Sequence, residues 1–485
     1  MSDFDHSLFH KLNHYAHSDF YPFHMPGHKR NAFLTSGTSE AQSGAPIPEA
    51  IDITEITGFD DLHHPDGVLK EAQERMAEVF GAHKSFFLVN GSTSGILAAI
   101  CACTKKGGRI LMARNCHKSV YHATLLQELS IDYIDPPVTD LGIAGSIPAD
   151  AIRQMLSQVQ SDKPYQAIVI TSPTYDGIVS DISAIAALAH EHHIPLIVDE
   201  AHGAHFGFSD GFPKKALSCG ADIVIESLHK TLPAFTQSAA LHIADSPFIS
   251  ERKIKQYLSI FQTSSPSYIL MAGLDQCTQL LKTNATQLFS EFEQKLAAFY
   301  KKAASFKNIS VLYTDWHLQN LKDPSKILIS ADGIGMTGSE LFTVLRDKYH
   351  LELEMASLHY ATALTTIMDT QEGFDRLIRA LEDLDKTETD CFVKSNRKPD
   401  TTASSIAHLN ILPNQELPIP LCEAAQLAPK AVTLSSSAGK ICADFIIPYP
   451  PGIPILVPGE RITEKHIRQM SQFKNAGIKL YGISE

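Results

Sequence analysis

Between about residues 84 and 246, short apolar runs alternate with helical stretches. The runs include Phe86-Phe87-Leu88-Val89, Arg109-Ile110-Leu111-Met112, Ala167-Ile168-Val169-Ile170, Pro195-Leu196-Ile197-Val198 and Asp222-Ile223-Val224-Ile225. Runs so short and so apolar predict strands covered on both faces, as in an α/β domain with a mostly parallel sheet. The stretch from Ser183 to His192 reads as one of the covering helices. Residues 270–320 and 338–385 read as long amphipathic helices around shorter strands, a smaller α+β domain. Around residues 392–403 the chain turns polar and proline-containing, which reads as a linker. The remainder carries its own turn cluster, PYPPGIPILVPGE at 448–460, and a closing helix. The expected division is an N-terminal arm over 1–60, a large domain over 61–270, a smaller domain over 271–392 and a C-terminal domain over 393–485.

In parallel sheets of this kind ligands gather beyond the carboxyl ends of the strands. Several polar segments fall there. Asn90-Gly91-Ser92-Thr93-Ser94-Gly95 follows the run Phe86–Val89 and precedes an apolar helix. Small hydroxyl residues at a helix N-terminus offer free N–H groups and a favourable dipole to a phosphate. An ordinary Ser/Thr N-cap explains the same residues. Asp199 ends a buried strand in the segment VDEAHGAH, where a carboxylate suits a cationic heterocycle. The same letters occur in helicases, but those need a phosphate loop of the form G-x-x-x-x-G-K-[ST], and none occurs in this sequence. His202 and His205 have the spacing of metal ligands without a recognisable third, so no metal is expected.

Lys230 stands in Glu226-Ser227-Leu228-His229-Lys230-Thr231, again after an apolar run. A desolvated lysine with a lowered pKa forms Schiff bases, and Ser227 and His229 would add phosphate contacts. Taken alone, Lys230 also reads as a surface lysine. His117, in Arg114-Asn115-Cys116-His117-Lys118-Ser119, is placed to stack on a cofactor ring, although a loop histidine by itself is unremarkable.

Bulk properties narrow the field. The 485 residues exceed one compact core, and 44% hydrophobic with 20% charged residues is ordinary for a globular protein. A formal net charge of −13 repels polyanions and argues against nucleic acid as a partner. No run of about 18 apolar residues occurs, so a membrane span is not expected. The N-terminal sequence lacks an apolar signal core. The 8 cysteines show no paired C-x-x-C spacing. The picture is a reduced, cytoplasmic enzyme.

Together these segments identify a resemblance. The chain is similar to the bacterial ornithine/lysine/arginine decarboxylases, fold-type-I enzymes dependent on pyridoxal 5′-phosphate, and most to their short Gram-positive branch. The resemblance runs through PFHMPGHKR (22–30), DITEITGFDDLHHPDGVLKEAQE (52–74), SFFLVNGSTSG (85–95), RNCHKS (114–119), SPTYDG (172–177), VDEAHGAHF (198–206), ESLHKTLPA (226–234), FQTSSPSY (261–268) and the turn cluster at 448–460. It implies a large domain with a mostly parallel seven-stranded sheet, plus smaller and C-terminal α+β domains. It makes Lys230 the Schiff-base lysine, Asp199 the partner of the cofactor's ring nitrogen and His117 the stacking residue. Ser92, Thr93, Ser94, Ser227 and His229 belong to the phosphate neighbourhood, and His202 lies beside the cofactor. Ser264 and Ser265 would reach the phosphate of a neighbouring subunit, which implies a homodimer with shared sites. Because MPGH begins by residue 25, a dimer or tetramer is expected rather than the decamer of larger relatives.

The implied reaction is loss of CO2 from a basic amino acid (arginine first, then lysine or ornithine), giving agmatine, cadaverine or putrescine for polyamine synthesis. Another fold-type-I reaction, or an inactive regulatory homologue, shares the same framework. Glu460 ends the Pro/Gly-stiffened cluster, and two readings stay open for it: a structural turn, or a carboxylate facing the distal cation of the substrate. Asp60 and Asp61 are the alternatives for that second role.

Overall fold

The computed structural model describes residues 19–23, 29, 53–56, 58–158, 163–312, 322–387, 417–449 and 452–483. His24–His28 of the MPGH segment and the expected linker at 392–403 lie outside them. In chain order the strands begin with β1 (Tyr21–Phe23), β2 (Lys84–Leu88), β3 (Arg109–Ala113), β4 (Ser130–Ile134) and β5 (Tyr165–Thr171). They continue with β6 (Leu196–Asp199), β7 (Ile223–Glu226) and β8 (Ala239–Ile243). Strands β2 to β8 form one seven-stranded sheet in the order β2-β8-β7-β6-β5-β3-β4. All neighbours are parallel except β8, which is antiparallel to both β7 and β2.

The expected large α/β domain is therefore what the sequence forms, and each apolar run became a strand. Every residue of β6 and β7 is buried. The reason is the one the sequence carries: LIVD and IVIE have apolar side chains for both faces. One face is covered by helices Gly91–Cys103, Lys118–Leu126 and Glu251–Phe261, which contribute Ile96, Val120 and Ile254 to a single cluster. The other face meets Met76 and Phe80 of helix Val68–Phe80 and Met271 and Leu274 of helix Tyr268–Ala303. Each such side chain contributes on the order of 1.5–3 kcal/mol when fully buried.

Helix Tyr268–Ala303 is 36 residues long, and the Ser267 hydroxyl caps it by accepting from Leu270 N. It carries the same core onward into the smaller domain through Phe289, Phe292, Leu296 and Phe299. There β9 (Ser310–Val311), β10 (Lys326–Ser330), β12 (Met355–Ala356) and β13 (Ala361–Leu364) form an antiparallel sheet, ordered β12-β13-β10-β9. Helix Gly338–Tyr349 precedes β11 (Leu351–Leu353), which takes β1 alongside it in parallel. In the C-terminal part β14 (Ile447–Pro448) pairs with β15 (Leu480–Tyr481) beside helix Glu464–Asn475. No described helix is long and apolar enough to cross a membrane.

One close approach sets the position of the segment after β2. A Cβ added at Gly95 would lie 2.5 Å from Leu88 Cδ1 and 3.3 Å from Ile225 Cγ2. Helix Gly91–Cys103 therefore presses directly onto β2 and β7, which brings its N-terminus to the carboxyl ends of both. Gly95→Val overpacks this seam. We expect it to cost about 1–3 kcal/mol in thermal or denaturant unfolding and to weaken phosphate binding at the displaced helix end.

Candidate active site

Four strand ends converge on one edge of the sheet. At the end of β6, Asp199 is 3% exposed and its Oδ1 accepts from Ala201 N at 3.2 Å. Burial pushes its carboxyl up from the ordinary range, and the charge of Lys230 pulls it back. At the end of β7, Ser227 opens the short helix Leu228–Thr231, which carries Lys230. Burial lowers the Lys230 amine, opposed by Asp199 and Glu354. Its Nζ lies 3.0 Å from His202 Nε2.

The other nitrogen of that ring has a partner from the smaller domain. His202 Nδ1 lies 2.8 Å from Lys326 Nζ, on β10. Burial pushes Lys326 down to about 8, although Asp323 and Glu354 favour its charge. His202 is held well below its usual pKa by burial and then by the two lysines, so its ring is neutral. Tyr175 stands edge-on to this ring, centroids 4.6 Å apart, and its hydroxyl donates to Glu354 Oε1. The site is thus built at the seam between the two domains.

After β3 the chain runs Arg114 to His117. His117 is the N-cap of helix Lys118–Leu126: its Nδ1 accepts from Ser119 N at 3.3 Å and lies 2.8 Å from Ser119 Oγ. Burial, reinforced by Lys230, pushes its pKa down to about 3, leaving a flat neutral ring. Gly452 backs that ring, since a Cβ there would come 3.1 Å from both Cδ2 and Nε2. Lys118 N also donates to Gly452 O.

The residues present fit a phosphorylated, ring-bearing cofactor. The hydroxyls of Ser227, Thr231 and Ser238 are buried, with no hydrogen-bond partner among the described residues. Such orphans cost free energy unless a polar ligand meets them. Helix Gly91–Cys103 has no side-chain cap, because Asn90 Oδ1 instead accepts from Thr263 N at 3.1 Å. Its first-turn N–H groups are free for an anion. Ser92 is half-buried and Thr93 exposed at this turn, whereas the Ser94 hydroxyl is spent on Gly91 O at 2.8 Å. His229 accounts for its own ring with Nδ1 2.8 Å from Ser238 O. Ser264 and Ser265 are exposed, in a segment tied to the same turn through Thr263.

Glu460 is placed differently from the substrate-facing reading. It is fully buried, 3.1 Å from Arg114 Nη2, and its Oε2 also accepts from Val457 N at 2.8 Å. The carboxylate expected to face the substrate is aimed at a buried arginine rather than at an entrance. Asp60 is also committed: its Oδ2 accepts from Gly67 N and Leu69 N and caps helix Val68–Phe80. Asp61 accepts from His63 N and meets His64. His202 and His205 turn to different partners, since His205 Nε2 pairs with Asp323 Oδ1 at 3.1 Å. The sequence reading missed Lys326 and Glu354 as site residues and noted Tyr175 only within SPTYDG. Lys326 and Glu354 come from the smaller domain, and no local signal announced them.

Comparison with known proteins agrees with this geometry. A family model described as Orn/Lys/Arg decarboxylase, major domain, matches residues 6–323, and the corresponding C-terminal domain model matches residues 422–482. The chain is 35% identical over 473 residues to the uncharacterized protein YaaO of Bacillus subtilis (strain 168), covering 96% of this chain and 93% of that protein. It is 30% identical over 493 residues to an arginine decarboxylase of the same organism, covering 99% and 96%. Among solved structures, the constitutive lysine decarboxylase of Escherichia coli superposes with a TM-score of 0.73 at 20% identity, over 90% of this chain and 74% of that one. That likeness is one of fold.

The Arg114–Glu460 pair yields a test of the structural role. Removing one partner of a buried ion pair leaves an uncompensated charge, so Glu460→Ala should cost about 3–5 kcal/mol in equilibrium unfolding. KM for the amino acid should stay unchanged in the folded fraction. Unchanged stability with a raised KM would return Glu460 to the substrate.

Proposed function

This chain belongs to the Orn/Lys/Arg decarboxylase family, and from that premise we propose that it removes the carboxylate of arginine, giving agmatine for polyamine synthesis. It is a pyridoxal-phosphate-dependent decarboxylase of basic amino acids. The choice of arginine is supported by the arginine decarboxylase that shares 30% identity over 99% of the chain. The observation that carries the site assignment is the pairing of a buried carboxylate, Asp199, with an electrostatically coupled lysine, Lys230, at neighbouring strand ends.

When bound, the cofactor supplies an electron sink for the pair of electrons left behind as CO2 departs. Lys230 would hold the cofactor covalently, and Asp199 would keep its ring nitrogen protonated. Burial makes that carboxylate a strong partner for a cation, since the attraction is poorly screened there. His117 offers a neutral aromatic face, backed by Gly452. The first turn of helix Gly91–Cys103 and the hydroxyls of Ser227, Thr231 and Ser238 would hold the phosphate. Tyr175 and His202 wall the chamber against water, and Lys230, once charged, can deliver a proton within it.

Lys230→Ala should abolish turnover with the fold intact. Borohydride reduction of the parent, followed by peptide mapping, should place the pyridoxyl group on Lys230. A label on another lysine would sink the assignment.

We also propose a cytoplasmic homodimer whose sites are shared. Support comes from exposed Ser264 and Ser265, in a segment tied to the phosphate turn through Thr263, and from Ile260 on the preceding helix, which is 59% exposed. A Ser264/Ser265 double-alanine protein should be inactive by itself. Mixed with inactive Lys230→Ala protein, it should regain activity in heterodimers; activity residing in isolated monomers would refute sharing.

A further inference from the structure

Lys326 has no part in the chemistry described so far, yet its amine reaches the same imidazole as Lys230. The two Nζ atoms lie 2.8 Å from Nδ1 and 3.0 Å from Nε2 of His202. Hydrogen-bond arithmetic restricts what such an array can be. A neutral imidazole has one N–H and one bare nitrogen, and an ammonium only donates. Two ammonium groups therefore cannot satisfy both nitrogens, because the one bearing hydrogen would meet a second donor. A protonated ring would need two accepting amines and would place its charge in a buried site already facing cations. At least one lysine of the array is therefore a free amine, and the carboxylates Asp199, Asp323 and Glu354 around the pair favour a charge on the other.

The surroundings decide which. Lys326 faces Asp323 and Glu354, and its Nζ lies 5.8 Å from the centroid of the Tyr175 ring. Both the anions and the aromatic face favour a cation there. Lys29 and Lys230 oppose it. Lys230 faces Asp199 and Glu354, with His117 and His229 also at hand. The two carboxylates differ, however: Asp323, paired with His205, is held down to about 2 and stays ionised beside Lys326, whereas burial pushes the Asp199 carboxyl up toward its neutral form.

We infer that Lys326 is a positioning residue: as an ammonium donating to Nδ1, it fixes the Nε2–H tautomer of His202, which then donates to Lys230 and holds it as the free amine. The inference rests on Lys230 being the residue that bonds the cofactor. A free amine is the nucleophilic form, so the array readies Lys230 whenever it is not joined to the cofactor. It also stores a proton. If Lys326 gives one to Nδ1 while Nε2 passes its own to Lys230, Lys230 becomes an ammonium and Lys326 an amine, with charge conserved.

The test reads Lys230 without turnover. The full-length protein, freed of cofactor, is labelled with trace acetic anhydride across a pH series, and Lys230 acetylation is followed by mass spectrometry. In Lys326→Met, His202 is free to turn its bare nitrogen to Lys230, and a neighbouring cation is gone. The Lys230 titration should move up by about one pH unit, a loss of roughly tenfold in reactivity below both midpoints. An unshifted or downward-shifted curve overturns the proposal. A second measurement needs no altered lysine: the 15N spectrum of histidine-labelled parent protein, with His202 assigned by its loss in His202→Gln. Protonation at Nε2 with bare Nδ1 is expected; the opposite tautomer or an imidazolium overturns the proposal, even if Lys326→Met does not fold. Failure here is distinct from failure of the cofactor assignment, which the borohydride label decides independently.

Discussion

Asp199 and Lys230 stand at the ends of neighbouring strands, and both titrations are governed first by loss of water. Desolvation raises the acid and lowers the amine, so each drifts toward its neutral form while each stabilises the other's charge. The rest of the site is arranged around that tension. The parallel order β7-β6-β5-β3 brings the strand ends to one edge, and the helices covering both faces keep the edge dry. His117 and His202 then enter as neutral rings, because the same burial that perturbs Asp199 and Lys230 also penalises imidazolium.

How much of this the sequence made legible depends on the range of the interaction. Strands such as LIVD and IVIE are dictated by their own residues, and with them came the positions of Asp199, Ser227 and Lys230 directly after. The phosphate turn was equally local, and Gly95 explains its placement once the strands are known. The strands β4 and β8, SIDYI and AALHI, were not among the apolar runs singled out. Asp132 interrupts the first, and β8 carries His242, which meets Ser85 of β2 at 2.7 Å. Lys326 and Glu354 lay beyond reach for a different reason. Their relation to His202 and Lys230 is set by how the smaller domain docks, through a core that helix Tyr268–Ala303 carries across from the sheet.

Glu460 shows the same limit from the other side. The prolines and glycines of 448–460 suggest a stiff loop, but stiffness has no direction. The direction came from Arg114, which is buried and whose Nη1 donates to Tyr121 Oη at 2.7 Å and Pro454 O at 2.8 Å. A buried guanidinium with several oxygen acceptors still carries a full charge, and only a carboxylate can neutralise it.

Among the described residues, the C-terminal part therefore buttresses the site through Arg114 and His117, and Glu460 spends its charge on Arg114. Arg114 is three residues before His117, and the loop that supplies Pro454 O and Glu460 to the first also supplies Gly452 to the second. Leu421 and Val457 join the core cluster beneath the sheet, so this attachment has an apolar component as well. Apolar contact alone would fix the attachment only loosely in register, because it is non-directional. A buried ion pair costs much of its own attraction in desolvation, so its contribution lies less in net stability than in the single arrangement it permits. Placed three residues from His117, that arrangement fixes the chain leading into the ring. Gly452 then limits the ring's movement from behind, and the face that His117 turns to the chamber is set by a segment more than 300 residues away in the chain.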